Sequence, residues 1–322
     1  MNNLYNILEV HPKASPEVLK AAYRALVKLY NDDHKKMVAL NEANEILCNE
    51  TKRAKYDKER ENIKGKIIGN YRIISLIAEG GFGKTYKAEH LLTNSLVCIK
   101  HANQISPEDE EILVQEAKAI WDMRHYGIPA MRDIIKIEDS PALVMSFVPG
   151  RNLAQIIEDL KRLDPEDVAW ITERTLNILM YLHMHGVCHG DVKPQNIMVQ
   201  EDNHMVVLVD YGLAAIKPHS KTSNKGYTPF FAAPEQIYGG PLIPETDFYG
   251  LGMTMIYVLG GDVENKKVPS NIPDPLCEFI KRLIKIEPLS RPNWEKENLC
   301  QTIQDVRLKA FGRKSTNMKP LG

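Results

Sequence analysis

Three side chains on one short loop are of the types that handle phosphate groups. Residues 189–196 read HGDVKPQN, which places the Asp191 carboxylate, the Lys193 ammonium and the Asn196 carboxamide close together. A carboxylate can accept or orient a hydroxyl proton, a lysine can neutralise a phosphoryl group, and an amide oxygen can bind a hard cation. A second carboxylate, Asp210, follows an apolar strand and precedes a glycine. Together these residues predict a site for magnesium phosphates.

A glycine-rich turn lies earlier in the chain, where residues 78–86 read AEGGFGKTY. Glycines let backbone N–H groups approach phosphate oxygens closely, although a glycine pair in a hairpin can also be only a turn. A dinucleotide-binding fold needs a helix after such glycines. Here a strand pattern follows, so the sequence disfavours that fold.

Lys100 ends an apolar strand that reads VCIK, and Glu116 lies in the next predicted helix. One interpretation is an ion pair that orients the lysine onto the α and β phosphates of a nucleotide. The alternative is an ordinary surface pair on a strand edge.

The elements that must position these groups change character along the chain. Alternating and β-branched residues from about 71 to 100 predict three strands, a helix follows over 107–123, and two more strands follow over 131–147. From residue 153 the chain is predicted to be mostly helical, with two short strands near 197 and 207. This order predicts an α+β fold of two lobes, a five-stranded antiparallel lobe followed by a helical one.

Residues 1–60 predict helices only and form a small all-α domain. Ser15 followed by Pro16 and an acid is a helix start. Two apolar stripes are predicted to pack against each other, with Tyr5 and Leu8 laid across them. The stripes are Val18, Ala22, Ala25 and Leu29, and then Met37, Leu40, Ala43 and Leu47.

The predicted domain boundaries follow from these changes. Residues 1–60 are the helical domain, 61–69 a linker, 70–311 the α+β domain and 312–322 a flexible tail.

Composition narrows the classes of function. The formal net charge of −1 and a pI near 6.8 give no support to nucleic-acid binding or to a polybasic membrane anchor. No apolar run approaches the roughly 20 residues of a membrane helix, and the first residues show no secretory signal. Five cysteines, an odd number without a CxxC pair, predict reduced thiols in the cytoplasm.

Residues 70–310 resemble a eukaryotic-type protein kinase domain, and the sequence of the glycine-rich motif is similar to that of bacterial Ser/Thr kinases. The motifs GGFGKTY, VCIK, HGDVKPQN, DYG, TPFFAAPE and TDFYGLG occur in order at suitable spacings. The resemblance implies a bilobal kinase fold, ATP and Mg²⁺ as cofactors, and transfer of the γ-phosphoryl group to Ser or Thr hydroxyls of proteins.

The resemblance also implies a role for each matched residue. Asp191 orients the substrate hydroxyl and Lys193 neutralises the γ-phosphoryl group, while Glu116 orients Lys100. Asn196 and Asp210 hold magnesium. The implied nucleotide-binding residues are Ile77, Ala78, Gly80, Gly81, Phe82, Gly83, Thr85, Cys98, Lys100, Met145, Ser146, Val148 and Met198.

Three further contacts are implied around this loop. Thr228 should contact Asp191 and Lys193, and Asp247 should brace the loop. Glu235 should pair with Arg291.

The sequence also departs from the kinase pattern. Ala78 replaces the first glycine of the turn, and Gly190 replaces the arginine that normally receives an activating phosphate. We therefore expect the unphosphorylated protein to be active, although Ser220, Thr222 and Ser223 lie in the activation segment. Residues 261–273 leave too little chain for the usual helix there. Two alternatives remain, a pseudokinase scaffold and, since His-Gly-Asp also occurs in them, a small-molecule phosphotransferase.

Residues 4–60 resemble a J-domain, the helical module that drives a chaperone ATPase. The matching pieces are LYNILEV, ASPEVLKAAYRALVKLY, NEANEIL and TKRAKYD. The His-Pro-Asp of that family is absent, because the corresponding turn reads Asn31-Asp32-Asp33. The resemblance implies the J-domain fold without cochaperone activity, and hence a docking or regulatory module with a possible protein partner.

Overall fold

The computed structural model describes residues 4–11, 14–30, 34–61, 64–80, 83–101, 107–137, 140–218 and 226–314. The chain folds into two compact units. The first unit is Met1–Leu113 with Arg132–Phe147, and the second is Val114–Met131 with Val148–Gly322. In the described part, no helix is both long enough and apolar enough to cross a membrane.

The first unit begins with four helices. They are α1 Leu4–Ile7, α2 Pro16–Leu29, α3 His34–Leu47 and α4 Glu50–Glu61. Helix α2 starts as the sequence predicts, because the Ser15 side chain accepts the Val18 N–H at 3.4 Å and Pro16 occupies the first helical position. The Asn31-Asp32-Asp33 turn lies outside the described residues.

The core of these helices agrees with the predicted stripe on α3 and contradicts the predicted stripe on α2. Leu40, Ala43 and Leu47 are buried together with Tyr5 and Leu8, and Met37 packs against them. On α2 the predicted Val18 and Leu29 are 49% and 69% exposed, whereas Leu19 and Leu26 are buried.

The α2 face is therefore rotated by one position from the prediction. Leu19, Tyr23, Leu26 and Tyr30 are spaced along one helical face and form it. These side chains are larger than the two alanines of the predicted stripe, so this face buries more apolar area than the predicted one.

The rotated face makes a direct prediction. Leu26→Ala should lower the free energy of unfolding of the helical domain by about 2–5 kcal/mol, since it opens a cavity in the core. Leu29→Ala is the matched control on the same helix, and its effect should stay within about 0.5 kcal/mol because Leu29 is exposed. Urea unfolding of the full chain, monitored through the amide exchange of residues 16–29, measures the free energy of unfolding of both variants. Equal losses in the two variants would contradict the observed face.

The rest of the first unit contains a six-stranded sheet, with order β1-β2-β3-β4-β6-β5, and the start of helix α5 Pro107–Ile120. The strands are β1 Ile67–Ile68, β2 Tyr71–Gly80, β3 Gly83–His90, β4 Leu96–His101, β5 Met131–Ile137 and β6 Ser140–Ser146. Pairing is antiparallel from β1 to β4 and between β4 and β6. Ile73, Ile99 and Val144 lie in its buried core.

The sheet has one strand more than the five predicted, at its first edge. It has six strands rather than five, because Ile67 and Ile68 pair with Arg72 and Tyr71. These two residues lie within the predicted linker 61–69. A two-residue strand is too short to show the alternation by which strands are recognised in a sequence.

The second unit is mostly helical. Its strands are β7 Arg151–Asn152, β8 Val187–Cys188, β9 Ile197–Gln200, β10 Met205–Leu208 and β11 Ala215–Ile216. Its helices are α6 Leu153–Leu160, α7 Pro165–Met184, α8 Pro234–Ile237, α9 Pro244–Val258, α10 Asp274–Leu283 and α11 Leu299–Phe311. Residues 259–273 are all described and contain no helix. This agrees with the prediction that the segment 261–273 is too short to hold one.

Short strands fix both ends of the polar loop at 189–196. Strand β8 leads into it and pairs with β11, and β9 leaves it and pairs with β10. The two strand pairs bring the loop beside the segment that follows Asp210, although the two segments are separated along the chain.

Candidate active site

Asp247 of the buried helix α9 holds the backbone of the polar loop. Its Oδ2 accepts the His189 N–H at 2.8 Å and its Oδ1 accepts the Gly190 N–H at 2.7 Å. The predicted bracing contact is confirmed. Because the carboxylate receives two adjacent backbone N–H groups, the residues just before Asp191 are held in one conformation.

A histidine of helix α7, His183, supports Asp247. The Trp294 Nε1–H donates to His183 Nδ1 at 2.9 Å, and His183 Nε2 lies 2.8 Å from Asp247 Oδ2. An indole N–H can only donate, so Nδ1 carries no proton and Nε2–H donates to the carboxylate. Burial by itself would raise the pKa of Asp247, but the hydrogen bonds from His183 and Gly190 outweigh it and keep the pKa below its ordinary value.

Among the described residues, His183, Cys188 and Asp247 form the single group of three His, Cys or acidic side chains whose ligand atoms lie within 4.8 Å of one another. Both ring nitrogens of His183 are already engaged in hydrogen bonds. Burial also raises the pKa of the Cys188 thiol far above its ordinary value, and a thiol must lose its proton to bind a metal. The cluster is therefore a hydrogen-bonded brace rather than a metal centre.

Asp191, Lys193 and Thr228 form one hydrogen-bonded group. Thr228 Oγ1 donates to Asp191 Oδ1 at 2.7 Å and accepts from Lys193 Nζ at 2.8 Å. Lys193 Nζ also lies 2.7 Å from Asp191 Oδ2. The predicted contacts of Thr228 are confirmed, and a hydroxyl sits where a carboxylate and an ammonium group meet.

Asn196 and Asp210 offer oxygen atoms suited to a divalent cation. The Asn196 Nδ2 donates to the Asp191 backbone oxygen at 2.9 Å and to Asp191 Oδ2 at 3.1 Å. Since both partners are acceptors, the amide nitrogen must face them, which leaves Oδ1 as the ligand atom of that side chain. Asp210 is exposed and adopts the left-handed region at φ 66°. A carboxylate and an amide oxygen are the donors that Mg²⁺ prefers.

The Asp210-Tyr211-Gly212 segment is tied to the loop through Tyr211. The buried Tyr211 hydroxyl donates to the Leu208 oxygen at 3.1 Å, and its ring packs edge-on against His189 with centroids 4.8 Å apart. The polar atom of this buried tyrosine therefore has a hydrogen-bond partner. The Tyr211 N–H donates to Glu116 Oε1 at 3.3 Å, and Glu116 is buried.

His189 is neutral in this setting. Burial lowers its pKa, and the Asp191 N–H donates to its Nδ1 at 3.2 Å. Its Nε2 therefore carries the proton and donates to the Val209 oxygen at 3.2 Å. The loop and the segment before Asp210 are joined through this ring.

Glu235 and Arg291 form the predicted ion pair, which is confirmed. Arg291 Nη2 lies 2.9 Å from Glu235 Oε2 and Nη1 lies 2.6 Å from Oε1. The arginine also donates to the backbone oxygens of Lys285, Glu245 and Ile286, and it is buried. The pair anchors the end of the segment that carries Thr228.

The first unit holds most of the predicted nucleotide-binding residues on neighbouring strands. Lys100 is in register with Thr85, and Cys98 is in register with Met145. Ala78 pairs with Thr85, Gly80 with Gly83, and Ser146 with Val97. Ile77 lies at a register shift of β2 and is half exposed.

The remaining nucleotide-binding predictions are not tested by these strand pairings. Gly81 and Phe82 lie outside the described residues. Val148 and Met198 belong to the second unit, as does Glu116. The adenine contacts and the Lys100–Glu116 ion pair therefore stay predictions.

Three positioning residues were not found from the sequence. His183 and Trp294 carry no motif of their own, since each is distant along the chain from the groups it supports. Gln236 had a weak signal, because Ala233 and Gln236 have the spacing of a capping box at the start of α8.

Family models match most of the chain. The model described as the protein kinase domain matches residues 71–302. The chain belongs to the protein kinase family. Members of this family use ATP and a divalent metal ion. A second model, the DnaJ domain, matches residues 3–57, so the kinase domain follows a J-type helical domain.

Named relatives are kinases of several kinds of organism. The chain is 29% identical over 256 residues to the human hormonally up-regulated neu tumor-associated kinase, which covers 71% of this chain and 36% of that protein. It is 28% identical over 258 residues to serine/threonine-protein kinase D of Synechocystis, and the match covers 70% of this chain and 50% of that protein. It is 30% identical over 250 residues to the Arabidopsis serine/threonine-protein kinase TIO, and the match covers 70% of this chain and 18% of that protein. The chain thus spans half or less of the length of these relatives.

Proposed function

We propose that the chain is a protein serine/threonine kinase that transfers the γ-phosphoryl group of ATP, bound with Mg²⁺, to protein hydroxyls. The observation that carries the proposal is the group formed by Asp191, Lys193 and Thr228, in which an ordered hydroxyl already lies 2.7 Å from the carboxylate. The domain boundaries in this proposal are 70–311 for the kinase domain and 1–60 for the helical domain.

The chain's own residues divide the work of the reaction. Asp191 accepts a hydrogen bond from the substrate hydroxyl and points its oxygen at phosphorus. Lys193 places a positive charge beside the transferring group, where negative charge develops. When bound, the metal nucleotide supplies the γ-phosphoryl group and neutralises phosphate charge, with Asn196 and Asp210 as its ligands.

A hydroxyl amino acid is the acceptor that this arrangement fits best. Thr228 occupies one oxygen of Asp191 and also binds Lys193, so it holds the two side chains at a fixed separation. In the kinases that this chain resembles, a threonine at the position of Thr228 is typical of enzymes that phosphorylate Ser and Thr. The relatives named above as serine/threonine kinases support the same substrate class.

Two other functions are separated by one labelling experiment. The full chain is incubated with ATP labelled in its γ-phosphate, Mg²⁺, a mixture of proteins and a metabolite extract. Label on protein supports the proposed kinase. Label on a metabolite alone supports a small-molecule phosphotransferase, and no label supports a pseudokinase scaffold.

The helical domain is proposed to be a docking or regulatory module for a protein partner. Its described helices share one buried core, so they present a folded surface. Its sequence lacks His-Pro-Asp, the tripeptide on which the cochaperone chemistry of J-domains rests. The five cysteines are all free thiols, which supports a cytoplasmic location.

Removal of residues 1–60 should change the rate of phosphoryl transfer to protein at least twofold, or else change the thermal midpoint of the kinase domain. The isolated helical domain should leave the turnover of a chaperone ATPase unchanged. Transfer assays and calorimetry on the full chain and the truncated chain measure the first effect. An identical rate and midpoint would make the domain an outward-facing adaptor. Stimulation of the chaperone would contradict the loss of cochaperone activity.

A further inference from the structure

The side chain of Gln236 joins the polar loop 189–196, called the catalytic loop from here on, to the end of the activation segment. That segment runs from Asp210 to Glu235. It is 4% exposed, and its Nε2 donates to the Gly190 oxygen at 2.8 Å. Its Oε1 accepts the Ala233 N–H at 3.0 Å. Both ends of one buried amide are thus used, one on each segment.

The peptide units around Gly190 are held from opposite sides. Asp247 accepts the Gly190 N–H, and Gln236 donates to its oxygen. The next residue is Asp191, whose backbone N–H belongs to the same peptide unit as that oxygen. Glycine rotates more freely than any other residue, so these two hydrogen bonds fix the backbone from which the Asp191 side chain projects, in addition to the contacts that Thr228 and Lys193 make with its carboxylate.

A side chain at position 190 does not fit this arrangement. Gly190 has φ 76°, where residues with a Cβ are strained. A Cβ would lie 2.8 Å from the Leu213 oxygen and 2.7 Å from Leu242 Cδ1. The arginine that receives an activating phosphate in related kinases is therefore absent and could not be placed here without moving the backbone.

We propose that Gln236 is a positioning residue that locks the catalytic loop to the activation segment without a phosphate. A neutral amide does in this chain what an arginine and a phosphate do by charge. The inference deepens the proposed function and rests on it, because Asp191 is the group whose orientation Gln236 controls.

The Gln236→Glu variant tests the lock with little change of shape. A carboxylate still accepts the Ala233 N–H but cannot donate to the Gly190 oxygen. At pH 8 we expect kcat to fall about tenfold, the cost of leaving a buried carbonyl without its donor. The KM for ATP should change less than about twofold, since a single hydrogen bond outside the nucleotide site is lost.

Lower pH should restore the variant. Protonated glutamic acid regains an O–H donor. Burial and the neighbouring carboxylates of Asp191, Asp247 and Glu235 raise the pKa of the introduced carboxyl, and the cations Lys193 and Arg291, which are already paired with Asp191 and Glu235, oppose this only in part. The ratio of variant to wild-type kcat should therefore rise severalfold between pH 8 and about pH 6. Taking the ratio removes the pH dependence of the wild-type groups.

Gln155→Glu is the matched control. Gln155 has the same position in the capping box of α6, but there the described contact uses only the oxygen, which accepts the Asn152 N–H at 3.0 Å. This variant should keep the wild-type kcat at both pH values. Wild-type protein freed of phosphate by a phosphatase, and verified by mass spectrometry, should also keep its activity.

Three results would overturn the lock. They are wild-type kcat in Gln236→Glu at pH 8, a loss that lower pH does not reverse, and activity of the wild-type protein that disappears when its phosphate is removed. Amide exchange over residues 189–196 is measured on the same samples and should be faster in Gln236→Glu at pH 8. That measurement tests the contact even if the wild-type chain transfers no phosphate, a result that would contradict only the proposed function.

Discussion

Asp191→Asn should slow phosphoryl transfer to protein by about a hundred- to ten-thousandfold while leaving the fold intact. The amide has the shape of the carboxylate, but it cannot accept the hydroxyl proton and it removes the negative charge beside Lys193. The catalytic loop should keep its conformation, because Asp247 and Gln236 hold it through backbone groups.

Steady-state transfer of labelled phosphate, with circular dichroism on the same samples, measures this effect. Asp202→Asn is the matched control, since Asp202 lies exposed in the short turn Glu201–Asn203 and should transfer at the wild-type rate. Retention of more than about a tenth of the wild-type rate by Asp191→Asn would contradict the catalytic role.

Arg291→Met should lower the free energy of unfolding by about 3–5 kcal/mol. The substitution keeps much of the side-chain volume but leaves the Glu235 carboxylate partly buried without its cation. It also removes the donors to three backbone oxygens. Because Glu235 ends the activation segment, the activity of the folded fraction should fall as well.

Urea unfolding of the full chain, monitored by the fluorescence of its tryptophans, measures this loss. Arg282→Met is the control, because Arg282 pairs with Glu297 near the surface and exposed pairs contribute at most about 1 kcal/mol. Similar losses in the two variants would show that burial of the Arg291 pair contributes nothing beyond a surface contact.

The contacts around Asp191 could be predicted because the side chains that make them lie in short, recognisable sequence motifs. Asp191, Lys193 and Asn196 share one loop, so their order along the chain already places them together. The more distant partners Thr228 and Asp247 followed from the resemblance to kinases. Each of these contacts involves charged or hydrogen-bonding side chains with few alternative partners.

Features that depend on packing could not be read in the same way. On α2 two overlapping apolar faces compete, and the face that is buried is the one that joins the common core of the helices, which spacing alone does not reveal. Gln236 acts on a backbone oxygen that is distant along the chain, and a backbone acceptor leaves no trace in a sequence. The strand Ile67–Ile68 is fixed by its neighbour in the sheet.

Phosphoamino acid analysis tests the central claim most directly. Protein labelled by the full chain with γ-labelled ATP and Mg²⁺ is hydrolysed in acid, and its phosphoserine, phosphothreonine and phosphotyrosine are separated. The proposed function predicts label in phosphoserine and phosphothreonine, and none above background in a parallel reaction with Asp191→Asn. Label in phosphotyrosine alone, or equal label with the wild-type chain and with Asp191→Asn, would contradict it.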